Sequence, residues 1–406
     1  MSPLAASRRV EAAVPQARRR GVYLDYHAST PCDPRVVEKM LPVLLDDFAN
    51  PASDIHGAGR RAAAAVETAR EQVAAAIRAE PEEIVFTSGA TESNNLAVLG
   101  SARARSFGRT TVLAGATEHK SVLVPIRRLK RDGFELKLIP VEPDGRIDLG
   151  ALAELVSEDT FLVSVQAASN EIGTIQPILE IVQIAHAAGA LVHCDAAQAL
   201  GRMALDVGDW GVDLLSLSGH KCYGPKGIGA LYVRGGAPRA LLEPIVYGGG
   251  QEHGLRAGTL NVPGIVGFGL AAEIAETERE ADTARIRGLR DWFERQILEA
   301  IPRVRVNGSR THRVAGNSSL TFPDVEAEAL IARLRDVHLS TGSACTSGAP
   351  EPSHVLTAIG QSREDAYNTV RIGLGRFTTP EELTYAAMRI VTLAGSSCAP
   401  TPIALP

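Results

Sequence analysis

A chain of 406 residues exceeds one ordinary domain, and at about 150 residues per domain the simplest division is into two. With 45% hydrophobic and 22% charged residues it has the composition of a globular protein with a large core, which excludes a fibre or a wholly disordered chain. A formal net charge of −5 supplies no basic field, so nucleic acid is not an expected partner.

Residues 1–20 carry Arg8, Arg9, Arg18, Arg19 and Arg20 without an apolar stretch, which excludes a secretory signal. They read as a disordered leader, with an organelle transit peptide as the alternative. Asp33-Pro34 sets a cap and a first-turn proline for a helix running to about Asp46. The Ala-rich, periodic stretch from Gly57 to Ala79 predicts a second helix. Strand-like runs follow at Glu83 to Thr87, Thr110 to Ala114, Glu135 to Ile139, Phe161 to Val165 and Ala190 to Cys194, with helical stretches between them. This alternation predicts an α/β fold, a parallel sheet with helices on both faces.

Two further runs, Leu214 to Leu217 and Ile228 to Val233, are separated by only ten residues, Ser218 to Gly227. A parallel crossover needs a dozen or more, so this pair must run antiparallel and the sheet is mixed. The link between them sits where a loop can reach a ligand. A long charged helical pattern from about Ala271 to Ile301 changes the texture of the chain. It places a boundary near residue 280, with a large domain over 33–279 and a smaller α+β domain over 280–394 joined by 21–32. The tail, 395–406, reads as disordered. No apolar run approaches the roughly 18 residues of a membrane helix; Gly264 to Ile274 is short and broken by glycine. Five scattered cysteines without CxxC spacing suit a reducing cytoplasm and neither a disulfide framework nor a metal site.

Five places carry chemistry. Phe86 to Ser93 passes from a strand through a glycine turn into a helix, where Thr91 and its neighbours can hold a phosphate, although such turns are common. The P-loop and GxGxxG fingerprints are both missing. Asp195 ends a buried strand, placed to face a ligand nitrogen with Gln198 near a ring hydroxyl; the plainer alternative is an N-cap aspartate. Lys221 follows Ser218-Gly-His220 in the short inter-strand link. An isolated lysine reads as a surface residue, but phosphate cradle, strand-end acid and loop lysine together are what pyridoxal phosphate requires. His119 stands at a helix start, able to stack on a ring or move protons, or simply to be solvated there. Finally, Cys345 lies in a run of small residues, Ser340 to Ala349, that offers no packed shell and therefore reads as a reactive thiol.

The strings SGATES, TEHK, SNEIG, HCDAAQ, SGHKCYGPKGIGALY, GGGQEHGLRAGT, STGSACTSG and VRIGLGRFTT occur in this order between Tyr23 and Thr379. In them the chain resembles the cysteine desulfurases, class V of the fold-type I pyridoxal-phosphate enzymes. The resemblance implies the PLP-dependent transferase fold type I, with a mixed, mostly parallel sheet in the large domain and a smaller α+β domain. It implies that Lys221 forms the Schiff base, Asp195 pairs with the pyridine nitrogen, Gln198 binds the ring oxygen and His119 stacks on the ring. Ala90, Thr91, Ser218 and His220 would hold the phosphate, with Thr259 reaching in from the partner subunit of a homodimer. Arg371, with Asn170 beside it, would clamp the carboxylate of L-cysteine.

Cys345 would take the sulfur as a persulfide, release alanine and pass the sulfur to a protein acceptor or scaffold for iron–sulfur assembly or thiolation. Its long loop resembles the scaffold-serving branch, where this thiol can also be a transient iron–sulfur ligand; no resident metal is implied. Three departures stand out. Cys222 and Cys194 occupy apolar positions and read as packing residues. The chain also ends soon after Ala394, which puts the scaffold-binding C-terminal segment of many relatives in doubt. The alternatives are another pyridoxal-phosphate enzyme of this fold, such as an aminotransferase or lyase, and a sulfur-relay subunit with little activity of its own.

Overall fold

The structure, a computed structural model, describes residues 21–104, 108–236, 242–341 and 351–395. The expected leader, nearly all of the expected tail, Cys345 and Cys398 lie outside the described residues.

The first core is a seven-stranded sheet. Its strands, in chain order, are β1 (Ile84–Thr87), β2 (Thr111–Gly115), β3 (Glu135–Ile139), β4 (Thr160–Gln166), β5 (Leu191–Asp195), β6 (Leu214–Ser218) and β7 (Gly229–Val233). They lie side by side in the order β1-β7-β6-β5-β4-β2-β3. Only β7 is reversed, antiparallel to both β1 and β6, as the ten-residue link demands. Every residue of β4, β6 and β7 is buried, because helices cover both faces; β3, at one edge, is largely open.

The covering helices include α1 (Pro34–Leu45) and α2 (Gly57–Ile77). Asp33 caps α1 by accepting from Arg35 N at 3.0 Å, and His56 caps α2 by accepting from Gly59 N at 3.0 Å. The short helix α3 (Ala90–Asn95) continues through a π-helical turn, Leu96–Gly100, and α4 (Lys120–Leu129) follows β2. The single helical pattern expected from Ala271 to Ile301 is instead two helices, α5 (Val262–Thr277) and α6 (Arg279–Ala300), meeting at Glu278. The Glu278 carboxylate accepts from Arg35 Nη1 at 2.6 Å and lies 3.5 Å from Arg376 Nε, so ion pairs hold the chain where it turns. The glycines of α5 are contact surfaces: a Cβ on Gly267 would meet Met40 Sδ at 2.6 Å, and one on Gly269 would meet Ala69 Cα at 2.7 Å.

The second core contains a three-stranded antiparallel sheet, β8 (Arg305–Val306), β9 (Asn317–Thr321) and β10 (Thr369–Gly373), with β9 central. Leu289, Phe293 and Ile297 of α6 and Leu383, Ala387 and Ile390 of α7 (Pro380–Ala394) share its apolar cluster. Val22 and Leu24 join this cluster, and Val22–Tyr23 pairs in parallel with Val337–His338. From there the chain crosses to the first core: Tyr26 N donates to Gly373 O at 3.2 Å, and Thr30 N to His220 O at 3.0 Å. Among the described residues no helix is long and apolar enough to cross a membrane.

One edge of the large sheet is closed by side chains. Arg70 Nη1 donates to Ile84 O at 2.7 Å, Phe86 N donates to Glu252 Oε2 at 2.7 Å, and Arg70 Nη2 joins Glu252 Oε1 at 2.8 Å. This buried pair holds Glu252 and His253 in left-handed backbone conformations, φ 48° and 56°.

Candidate active site

Strands β1, β5 and β6 end on the same side of the sheet, at Thr87, Asp195 and Ser218, and a cavity of about 540 Å³ opens beyond them. This is the carboxyl edge, where open α/β sheets bind ligands. Gly89, at φ 143°, makes the turn into α3; a Cβ on Gly229 would lie 2.6 Å from Gly89 Cα, so the start of β7 must be glycine too. The first turn of α3 presents Ala90 and Thr91 to the cavity, and N–H groups of a first helical turn lack intrahelical acceptors.

Asp195 is 6% exposed, and its carboxylate accepts from Asn94 Nδ2 at 2.8 Å and Ala197 N at 3.0 Å. No helix starts there, since residues 197–200 form turns, so the plainer N-cap alternative does not describe this aspartate. Asn94 Nδ2 also donates to Ser121 Oγ at 2.8 Å, and Ser121 Oγ lies 2.7 Å from His119 Nδ1. His119 caps α4 by accepting from Ser121 N at 3.1 Å, which makes Nδ1 an acceptor and leaves the proton of the neutral ring on Nε2. Burial, then the nearby Lys221 charge, lower its pKa below the ordinary histidine range, against an opposing pull from Asp195.

Lys221 ends the turn Gly219–Lys221, and its Nζ donates to His27 O at 2.6 Å and Ala28 O at 2.9 Å. Beside it, His220 has its pKa lowered to about 4 by burial and then by Lys221 and Lys226. Ser218 and Gln198 complete this wall of the cavity. On the side nearer the second core, Arg371 is 4% exposed; Nη1 donates to Asn170 O at 2.9 Å, Nη2 to Asp25 Oδ1 at 2.8 Å, and Nε has no hydrogen-bond partner among the described residues.

The structure therefore brings Ala90, Thr91, His119, Asn170, Asp195, Gln198, Ser218, His220, Lys221 and Arg371 around one cavity. Thr259 is exposed and is not among the lining residues. Cys345 lies outside the described residues. Ser340, near it on one side, pairs through its backbone with Arg371, and Ser353 on the other donates to Glu171 Oε2 at 2.5 Å. Burial raises the pKa of the Cys222 thiol to about 12 and that of Cys194 well above the usual value, as packing residues require. Sequence reasoning missed His27, Asn94, Ser121 and Arg202. Asn94 was findable, three residues after Thr91 on the same helix face; His27 carries no local signal, because it reaches the site only through the crossing segment.

A planar anionic ligand with a basic ring nitrogen fits this donor set: helix start for the anion, carboxylate for the nitrogen, amine for a carbonyl carbon. The model of the aminotransferase class-V family matches residues 22–385. A cysteine desulfurase IscS of Anaeromyxobacter sp. (strain Fw109-5) is 50% identical over 370 residues, 91% of each chain. Among solved structures, a NifS-like protein superposes with TM-score 0.86 at 36% identity, covering 93% of this chain and all of its own. SspA in complex with cysteine superposes with TM-score 0.78 at 39% identity, covering 88% of this chain and 99% of its own.

Proposed function

This chain belongs to the aminotransferase class-V family, among its cysteine desulfurases, and we propose that it binds pyridoxal 5′-phosphate on Lys221 and moves the sulfur of L-cysteine to Cys345. The observation that carries the reading is the convergence of Lys221, the Asp195 carboxylate, the start of α3 and the Arg371 guanidinium on one cavity. When bound, the cofactor supplies an electron sink for carbanion chemistry at the substrate's Cα.

The protein's own groups do the rest. Asp195 keeps a proton on the ring nitrogen, and its neutral donors Asn94 and Ala197 leave its charge available for that purpose. His119 would stack on the ring, and Gln198 would bind the ring oxygen. Ala90, Thr91, Ser218 and His220 hold the phosphate, joined by the partner's Thr259 in a homodimer. Arg371, steadied by Asp25 and Asn170 O, binds the substrate carboxylate. Lys221 or His119 would move the α-proton; His119 is neutral, and with Nδ1 held by Ser121 N the proton it can give is the one on Nε2. The Cys345 thiolate would attack the substrate Sγ, forming an S–S bond as the Cβ–Sγ bond breaks; the bonding pair stays with the carbon fragment, Cβ takes a proton, and alanine leaves with the persulfide on Cys345. A protein acceptor then takes the sulfur for iron–sulfur assembly or thiolation. We take 33–279 as the cofactor-binding domain, 21–32 with 280–394 as the smaller one, and the reducing cytoplasm as the setting that keeps the thiols free.

Single-turnover kinetics of Cys345→Ser test the transfer step. The variant is expected to bind pyridoxal phosphate and L-cysteine, yet form alanine at least about 100-fold more slowly, because a serine hydroxyl is a poor sulfur acceptor at neutral pH. Near-normal alanine formation would overturn the assignment.

A further inference from the structure

Gln198 has its side-chain amide oriented by partners that each allow only one arrangement. Its Nε2 donates to His27 O at 2.8 Å, and a backbone carbonyl can only accept. Its Oε1 receives Arg202 Nη1 at 2.5 Å, and a guanidinium can only donate. Turning the amide over would set its oxygen against a carbonyl and its NH₂ against a cation. His27 adds a third constraint, with Nδ1 3.1 Å from the same Oε1. Facing an acceptor, Nδ1 must carry the proton of the imidazole, and Nε2, buried without a protein partner, is then the lone-pair atom.

Resting on the cofactor reading above, we propose that His27 and Arg202 lock the Gln198 amide so that its second N–H, never its carbonyl, is turned toward the ring oxygen of the cofactor. Both are positioning residues acting through Gln198. The lock matters because the ring oxygen is anionic when the Schiff base to Lys221 is formed. A donor there withdraws charge and makes the imine nitrogen less basic, whereas a carbonyl would do the opposite. The His27 carbonyl also accepts from Lys221 Nζ, so one backbone oxygen registers both the amide and the amine that meet the same ring. Among the described residues Arg202 donates to neutral acceptors, Gln198 Oε1, Gln198 O and Tyr26 O. The ring of His27 stays neutral, because burial and then Arg202 and Arg371 press its pKa well below the ordinary range. The charged and titratable groups around His27 and the cavity include Arg202, Arg371 with Asp25, Lys221, Lys226, Glu92, Asp195, His119 and His220, and of these only Arg202 is altered in the variants below.

The test is the pH midpoint of the visible absorbance of the holoenzyme, without substrate. Gln198→Leu gives the size of the full effect, an upward shift of the imine midpoint by about one pH unit, or about tenfold in proton affinity. His27→Ala and Arg202→Met are each expected to shift it the same way by a substantial part of that, and Arg202→Lys, which keeps a donor, to restore the wild-type value. If Gln198→Leu shifts the midpoint while both His27→Ala and Arg202→Met leave it in place, the lock is wrong and the cofactor reading stands. If wild type takes up no pyridoxal phosphate, the reading beneath it falls.

Discussion

Asp195 and Asp25 each put a carboxylate beside the cavity, one at the end of a strand buried on both faces, the other on the segment that passes between the two cores. Asp195 receives only neutral donors, Asn94 Nδ2 and Ala197 N, whereas Asp25 is spent on Arg371 at 2.8 Å. The difference follows from what each charge has to do. A carboxylate that must act on a ligand is held by dipoles that fix its position and leave its charge uncancelled. A carboxylate that must aim another side chain is paired with it.

The contrast breaks first at Asp195. Asp195→Asn keeps the side chain's size but removes the charge and one of the two acceptors that receive Asn94 Nδ2 and Ala197 N, so kcat is expected to fall by about 10²–10⁴ while stability falls by only about 1–3 kcal/mol. Steady-state kinetics beside a melting curve check this, and a loss confined to stability would contradict it.

The same strand supplies the next effect. His193, two residues behind Asp195, is fully buried between Ser164 Oγ at 2.8 Å and Ser216 Oγ at 2.9 Å, and burial lowers its pKa to about 4. The group is neutral when folded, so above the unfolded value near 6.5 it costs nothing. As the pH falls from there toward 4 the unfolded chain takes the proton first, and stability drops by about 3 kcal/mol. Urea melts across this window are expected to show that decline in wild type and a flatter profile in His193→Asn.

At the other carboxylate the effects are smaller and move to KM. Arg371→Lys loses the planar fork, at about 1.5–3 kcal/mol, and raises KM for L-cysteine roughly 10–100-fold. Asp25→Asn leaves the fork but loosens its aim, raising KM several-fold while kcat holds. Equal losses of kcat in Asp25→Asn and Asp195→Asn would erase the distinction drawn between them.

What was legible follows the same division. All the strands of the large sheet but β3 could be read as short apolar runs buried on both faces, the open edge strand β3 from its place in the alternation of strands and helices, and the reversed β7 because a ten-residue link admits no crossover. Asp195 and Lys221 were legible because they stand at strand ends. The boundary between α5 and α6 was not, since it depends on Glu278 meeting Arg35 and Arg376 across the fold, and neither partner is near it in sequence. Gly267 and Gly269 break the apolar run, yet the helix keeps them because Cβ atoms there would collide with Met40 and Ala69 packed against it, while a Cβ on Gly264 would meet the helix's own cap, Asn261. His27, Asn94 and Ser121 act through bonds to residues from 27 to 194 positions away, which periodicity and motif spacing do not register.

A sheet whose outer strand is β1 would ordinarily offer a row of open backbone groups to any extended peptide that came near. Here the outward carbonyl of Ile84 and the outward N–H of Phe86 are already taken by Arg70 and Glu252. The ion pair therefore works as a stopper, satisfying the strand's hydrogen-bonding pattern with side chains that no further strand can follow. Because Arg70 rides on α2 and Glu252 lies far along the chain, the seal closes only when α2 has docked, and from then on it keeps this edge of the folded sheet from growing onto a neighbour.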